Sequence, residues 1–265
     1  MSGLLLVNPR SGNGSPSTEE LAEAARGLGV RVHVLRPGED LAELAREADA
    51  DMLGIAGGDG SLAAVAAVAI DRDLPFVCVP FGTRNHFAGD VGLDGDPLAA
   101  LRAFAGGEER RIDVGRVGDR LFLNNLSLGI YARLVHRRER RRRRREVFAR
   151  LKALVVTLRD RRLRERFLVD GQSVSASVLL VANNEYRLDA LSLGARDRLD
   201  EGVLVLYAAR GLRRLRWAER RATELEIETR KGAARVAIDG EPAILESPLR
   251  LTVEPQALRL RVPAS

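Results

Sequence analysis

The sequence predicts two domains, an α/β domain built on a parallel sheet and then an antiparallel β-sandwich. Up to about residue 112, short apolar runs alternate with helical stretches, the pattern of βαβ units. Beyond that point the chain changes to short β-like runs separated by turn dipeptides. Its 265 residues, 45% apolar and 30% charged, suit a globular protein with one large core or two modest ones.

In the first domain, strands are expected at 4–7, 30–35, 52–56 and 76–79. Ser17 with Glu20 three residues on marks a helix start, and Leu21, Ala24, Ala25 and Leu28 form that helix's apolar face. A second helix is expected over 40–48 and an alanine-rich one over 62–70. Pro97 opens another, closed near Gly106-Gly107. In the second domain, strands are expected at 116–117, 120–123, 167–169, 174–181, 203–207, 223–228, 234–238, 249–253 and 258–262. Gly118-Asp119, Asp170-Gly171 and Asp239-Gly240 supply turns. The expected boundaries are 1–112 for the α/β domain and 113–256 for the β-rich domain. A strand at about 257–265 is a candidate to return to the first.

Three polar, glycine-bearing segments follow three of the parallel strands. They are Asn8-Pro9-Arg10-Ser11-Gly12-Asn13-Gly14, Gly57-Gly58-Asp59-Gly60-Ser61 and Pro80-Phe81-Gly82-Thr83-Arg84-Asn85. At the carboxyl ends of neighbouring strands they would line one crevice, where open α/β sheets bind ligands. Glycines let the backbone approach a phosphate, a helix N-terminus favours negative charge, and Asp59 suits a metal ion. Nucleotide binding is the first expectation. There is no Walker A pattern, and Gly12-Asn13-Gly14-Ser15-Pro16-Ser17 lacks the third glycine of a dinucleotide fingerprint.

Taken together, Asn8-Pro9-x-Ser11-Gly12-x-Gly14, Gly57-Gly58-Asp59-Gly60-Ser61 and Pro80-x-Gly82-Thr83-x-Asn85-x-Phe87-Ala88 resemble the signature set of the diacylglycerol kinase catalytic family, bacterial soluble lipid kinases included. Ile112-Asp113-Val114-Gly115, Asn124-Asn125-x-Ser127-x-Gly129 and Asp239-Gly240-Glu241 extend the match over nearly the whole chain. The resemblance implies an NAD kinase/diacylglycerol kinase-like fold with nucleotide in the interdomain cleft, ATP and Mg2+ as cofactors, and a lipid hydroxyl as acceptor. It assigns phosphate contacts to Asn8, Pro9, Arg10, Ser11, Gly12, Asn13 and Gly57, Gly58, Asp59, Gly60, Ser61. It gives nucleotide-holding roles to Thr83 and Asn85, and catalytic magnesium to Asp59. Asp239 is the expected base, with Glu241 as second candidate; a hairpin turn is the alternative for Asp239-Gly240. Arg198, Glu201 and Val203 fall where relatives carry a structural magnesium loop, with Glu201 in place of the usual aspartate. Ser61 stands for threonine, Ala63-Ala64 for a polar pair, and no threonine occurs in Val34-Leu35-Arg36, where the family often touches the nucleotide.

Charge is concentrated in one place. Residues 133–166 carry 16 Lys or Arg against 4 Asp or Glu, a local +12 that exceeds the whole chain's +6, so the remainder is net acidic. This stretch reads as an inserted arginine-rich helix with Phe148, Leu151, Leu154, Val155 and Leu158 at helical spacing. An anionic membrane surface and plain solvation are both open readings for its arginines. Nucleic-acid binding is not expected, because no recognition motif accompanies the arginines and aromatics are only 4% of the chain.

No apolar run approaches the roughly 20 residues of a spanning helix, and Met1-Ser2-Gly3 leads directly into a strand, so the expectation is a cytoplasmic protein, peripheral on membranes at most. Cys78, the single cysteine, reads as a buried small hydrophobe. His33, His86 and His136 lack metal-ligand spacing. A lipid kinase is thus the leading expectation. An NAD kinase and a non-catalytic, membrane-associated nucleotide-binding regulator are the alternatives, and a homodimer is compatible with each.

Overall fold

The computed structural model describes residues 2–12, 15–82, 85–93, 95–129, 164–189, 192–193, 195–209 and 218–264. Most of the arginine-rich stretch, and with it the expected helix up to residue 163, lies outside the described residues, as do Asn13, Gly14, Thr83 and Arg84. The chain divides into two compact units. The first comprises Met1–Val114, Ala195–Glu201 and Glu254–Ser265, and the second Gly115–Gly194 and Gly202–Val253.

The first unit begins β1 (Gly3–Val7), α1 (Thr18–Gly27), β2 (Arg31–Val34), α2 (Leu41–Glu47), β3 (Met52–Gly57), α3 (Asp59–Asp71), β4 (Phe76–Pro80), α4 (His86–Asp90), α5 (Pro97–Ala100) and α6 (Arg102–Gly106). Strands β1 to β4 pair in parallel in the order β2-β1-β3-β4. β1, β3 and β4 are buried on both faces, which is why they read as continuous apolar runs, whereas the edge strand β2 is partly exposed. Leu5, Val7, Val77 and Val79 cluster with Leu21 and Ala25 of α1 and with Ala100, Leu101 and Ala103. Leu6, Leu53 and Ile55, which alternate with those positions, are 0% exposed, and α3 packs on β3.

The capping box expected at α1 is complete. Ser17 Oγ accepts from the Glu20 N–H at 3.1 Å and Glu20 Oε2 accepts from the Ser17 N–H at 2.7 Å. Ser17→Ala is expected to lower unfolding free energy by about 1 kcal/mol in a urea titration, with activity unchanged. Three local expectations need correction. α3 starts at Asp59, inside the glycine segment, because Gly58 serves as its N-cap. The helix from Pro97 is two short helices meeting at Leu101. The strand expected at 116–117 begins far earlier, as β5 (Gly107–Val117).

The second unit continues with β6 (Arg120–Phe122), β7 (Asn125–Gly129), β8 (Glu165–Val169), β9 (Gln172–Ala176), β10 (Val178–Asn183), β11 (Leu188–Asp189), β12 (Ser192–Leu193), β13 (Leu204–Ala209), β14 (Ala218–Ala222), β15 (Glu224–Thr229), β16 (Ala233–Ile238) and β17 (Glu241–Glu246), with the start of β18 (Leu249–Pro263). Six strands pair antiparallel in the order β14-β13-β10-β7-β16-β17. A second antiparallel layer joins β18, β15, β8 and β9. Leu126, Leu128, Leu179, Val181 and Val236 from the first layer share one core with Phe167, Val169, Leu225, Ile227 and Leu251 from the second.

Here too the sequence reading is corrected in places. The run 174–181 is two strands, because β9 belongs to one layer and β10 to the other, with Ser177 between them donating its N–H to Ala209 O at 2.9 Å. The arginine-rich helix does not extend to residue 166, since Glu165 and Arg166 already pair with Ala176 and Ser175 in β8. The two C-terminal strands are one, β18, with Gln256 at a positive φ of 52° in its middle. The later part of β18 lies parallel to β4 in the first unit, with Leu260 opposite Phe76.

Candidate active site

The three loops of the first unit converge. β1 ends at Val7, and Asn8 then reaches across to the second loop, its N–H donating to Ala56 O at 2.9 Å and its Nδ2 to Ser61 Oγ at 3.0 Å. Asn8 also shapes its own loop: its Oδ1 accepts from the Arg10 N–H at 3.1 Å and its carbonyl from the Ser11 N–H at 3.1 Å. The pairing of the second loop with the third continues past the strands, with the Phe81 N–H donating to Gly57 O at 3.3 Å.

Asp59 ties the second loop to α4, accepting from the Phe87 N–H at 3.2 Å and the His86 N–H at 3.4 Å. Asn85, at φ 47°, brackets Gly82: its Oδ1 accepts from the Gly82 N–H at 2.8 Å and its Nδ2 donates to Gly82 O at 2.9 Å. Glycine is required at 82, because a Cβ there would stand 2.7 Å from Gly58 Cα. A Cβ on Gly12 would in turn stand 2.8 Å from the ring of Phe81. Pro9 and Arg10 are exposed, while Ser11, Gly12, Gly58, Asp59, Gly60 and Ser61 are partly buried and Gly57 is buried. Gly58 caps α3 with no side-chain hydrogen bond. The positive end of a 13-residue helix therefore points into the place where the loops meet.

A cavity of about 410 Å³ opens beside Asn8, Pro9 and Arg10 and is walled by Leu35, Arg36 and Glu39. Its wall is a closed turn in which Glu39 Oε2 accepts from the Arg36 N–H at 2.8 Å and meets His33 Nε2 at 2.7 Å. The Arg36 N–H, and then His33, hold the Glu39 carboxyl below its ordinary range. Cys78 is buried among the strands and burial pushes its thiol up, which fits the reading of an unreactive core residue.

In the second unit, Asp239-Gly240 is a two-residue hairpin turn between β16 and β17, both residues at positive φ (48° and 84°) and Ile238 opposite Glu241. The Asp239 carboxylate is fixed by three backbone donors. Its Oδ2 accepts from the Leu123 N–H at 2.8 Å, and its Oδ1 from the Asn124 and Asn125 N–H groups at 2.8 and 3.0 Å. Glu241, two residues on, is exposed at the start of β17. Nearby, Asn125 Nδ2 donates to Tyr186 Oη at 3.2 Å and the Tyr186 N–H to Tyr207 Oη at 3.0 Å. Burial raises the Tyr207 phenol to about 12.

The residues of the expected structural magnesium loop fall in different units, Arg198 and Glu201 in the first and Val203 in the second. Arg198 Nε pairs with Asp200 Oδ1 at 3.0 Å, and Val203 O accepts from the Asn184 N–H at 2.9 Å. Among the described residues no three His, Cys, Asp or Glu side chains converge as a metal cluster. None of their helices is long and apolar enough to cross a membrane. Sequence reasoning missed the Asp59 bonds to α4 and a buried ion pair between Asp90 and Arg196, because both join residues remote in sequence.

A parallel α/β unit with three joined glycine loops, followed by an antiparallel unit bearing an Asp-Gly-Glu hairpin, defines the class, and residues 2–117 match the family model described as the diacylglycerol kinase catalytic domain. Over those residues the chain is similar to that family. A relative from Chromohalobacter salexigens named "Probable lipid kinase YegS-like" is 29% identical over 98% of this chain and 92% of its own length. A "Diacylglycerol kinase" of Staphylococcus epidermidis is 34% identical over 31% of this chain and 27% of its own. In fold, the chain is similar to a crystal structure of a diacylglycerol kinase from Bacillus anthracis, with a TM-score of 0.73 at 18% identity, covering 98% of this chain and 96% of that one.

Proposed function

We propose that this protein is an ATP-dependent lipid kinase that transfers the γ-phosphoryl group to a hydroxyl of diacylglycerol or a related lipid. The observation that carries the reading is the joining of the three glycine loops by Asn8–Ser61, Phe81–Gly57 and Asp59–Phe87 hydrogen bonds around the start of α3. Backbone donors and a helix N-terminus fixed in this way suit a triphosphate. The neighbouring cavity by Leu35 and Arg36 suits the base and ribose. Similarity to the diacylglycerol kinase catalytic domain over residues 2–117, and to relatives that carry lipid kinase names, supports the acceptor class.

Magnesium is held in such sites by one or two carboxylates, with phosphate and water oxygens completing its shell. Asp59, beside the loops and with lone pairs beyond its two backbone bonds, fits that role. The metal would neutralise charge on the transferring phosphoryl group. For the base we favour Glu241 over Asp239. Three backbone N–H donors already occupy both oxygens of the Asp239 carboxylate, so it serves better as the anchor of Leu123 to Asn125. Glu241 would then take the proton of the attacking hydroxyl.

The test is incubation with γ-labelled ATP and magnesium against diacylglycerols, sphingoid bases, glycolipids and NAD. Label in a lipid is the expected result. Label in NAD would replace the reading with an NAD kinase, and ATP binding without label in any acceptor would favour a non-catalytic regulator.

A further inference from the structure

Helix α4 is held at both ends. Its N-terminus rests on Asp59, and at its C-terminus the Asp90 carboxylate takes Arg196 three ways. Arg196 Nε and Nη2 each donate to Oδ2 at 2.8 Å, and the Arg196 N–H donates to Oδ1 at 3.2 Å. The pair is buried, with the two side chains 0% and 7% exposed. Arg196 lies in residues 195–201, a segment of the first unit although the chain on either side of it belongs to the second. A further bond fastens this segment, from the Asp113 N–H to Leu199 O at 2.7 Å.

A buried ion pair is a poor way to gain stability, since apolar side chains of the same volume serve as well. What it supplies is a fixed geometry, because the planar guanidinium fork sets both distance and angle. α4 needs that, having five residues and no side-chain cap of its own. Asn85, which brackets Gly82 against Gly58, stands directly before it.

We propose that Arg196 is a positioning residue for the nucleotide loops: through Asp90 it fixes α4, and with it Asn85 and Gly82 against the second loop. The inference rests on the phosphate-binding reading above. Two mild variants test it, Arg196→Lys, which keeps the charge and loses the fork, and Asp90→Asn, which keeps the shape and loses the charge. In both, hydrogen exchange of the Phe87–Leu93 amides is expected to quicken at least about tenfold while β3 keeps the parental rates. The KM for ATP is expected to rise about tenfold with the lipid KM within about twofold of the parent.

Equal quickening in α4 and β3 with an unchanged ATP KM would mark the pair as general stabilisation and overturn the proposal, as would unchanged exchange in α4. Should the parent protein bind no ATP and label no lipid, the kinase reading fails. The exchange comparison then decides by itself whether Arg196 holds α4.

Discussion

Glu241→Gln is expected to lower phosphoryl transfer to lipid by about 10³-fold while ATP binding and melting temperature stay at parental values. The side chain is exposed, and the substitution replaces a carboxylate that can take a proton with an amide that cannot. Asp239→Asn is expected to behave differently. Whichever way the new amide turns, its NH2 faces at least one of the backbone N–H groups of Leu123, Asn124 and Asn125 that the carboxylate now accepts. Stability should fall by about 1–3 kcal/mol, and activity with it. Transfer assays combined with urea unfolding separate the two. A fully active Glu241→Gln enzyme beside a stable but inactive Asp239→Asn enzyme would return the base to Asp239.

The second large effect is expected at Gly82. In Gly82→Ala the methyl group would sit 2.7 Å from Gly58 Cα and 3.2 Å from Gly58 N, backbone atoms that cannot swing aside like a side chain. The second and third loops must part, and displacements approaching 1 Å cost such sites on the order of 100-fold. ATP affinity measured by calorimetry should fall by about that factor. Gly89→Ala is the control, since nothing lies within 4 Å of its added carbon, and it should bind ATP like the parent. Equal affinities for all three proteins would remove the third loop from the binding site.

Local rules explain which parts of this fold are legible in its sequence. Ser17 and Glu20 cap a helix through atoms three residues apart, so the signal is contained in the sequence window that displays it. The parallel strands β1, β3 and β4 announce themselves because both their faces are buried. β14 and β17 carry no such run, being edge strands with Arg220-Arg221 and Pro242 in them, and they went unpredicted. The break at Ser177 was invisible because the apolar pattern runs on while the chain changes layer.

The site divides in the same way. Its glycine loops are readable by composition, but the distinct situations of Asp239 and Glu241 depend on backbone donors more than a hundred residues upstream. Arg196 gave no signal at all, since nothing in its neighbourhood of sequence reveals that Asp90 is its partner.

β18 has a consequence for how the protein comes into being. Phe76 pairs with Leu260, so the edge of β4 stays bare until the chain has been made as far as Leu260. The parallel-sheet unit therefore cannot mature as an independent piece during synthesis, and a fragment cut after residue 114 would present that bare edge to its neighbours as an invitation to clump.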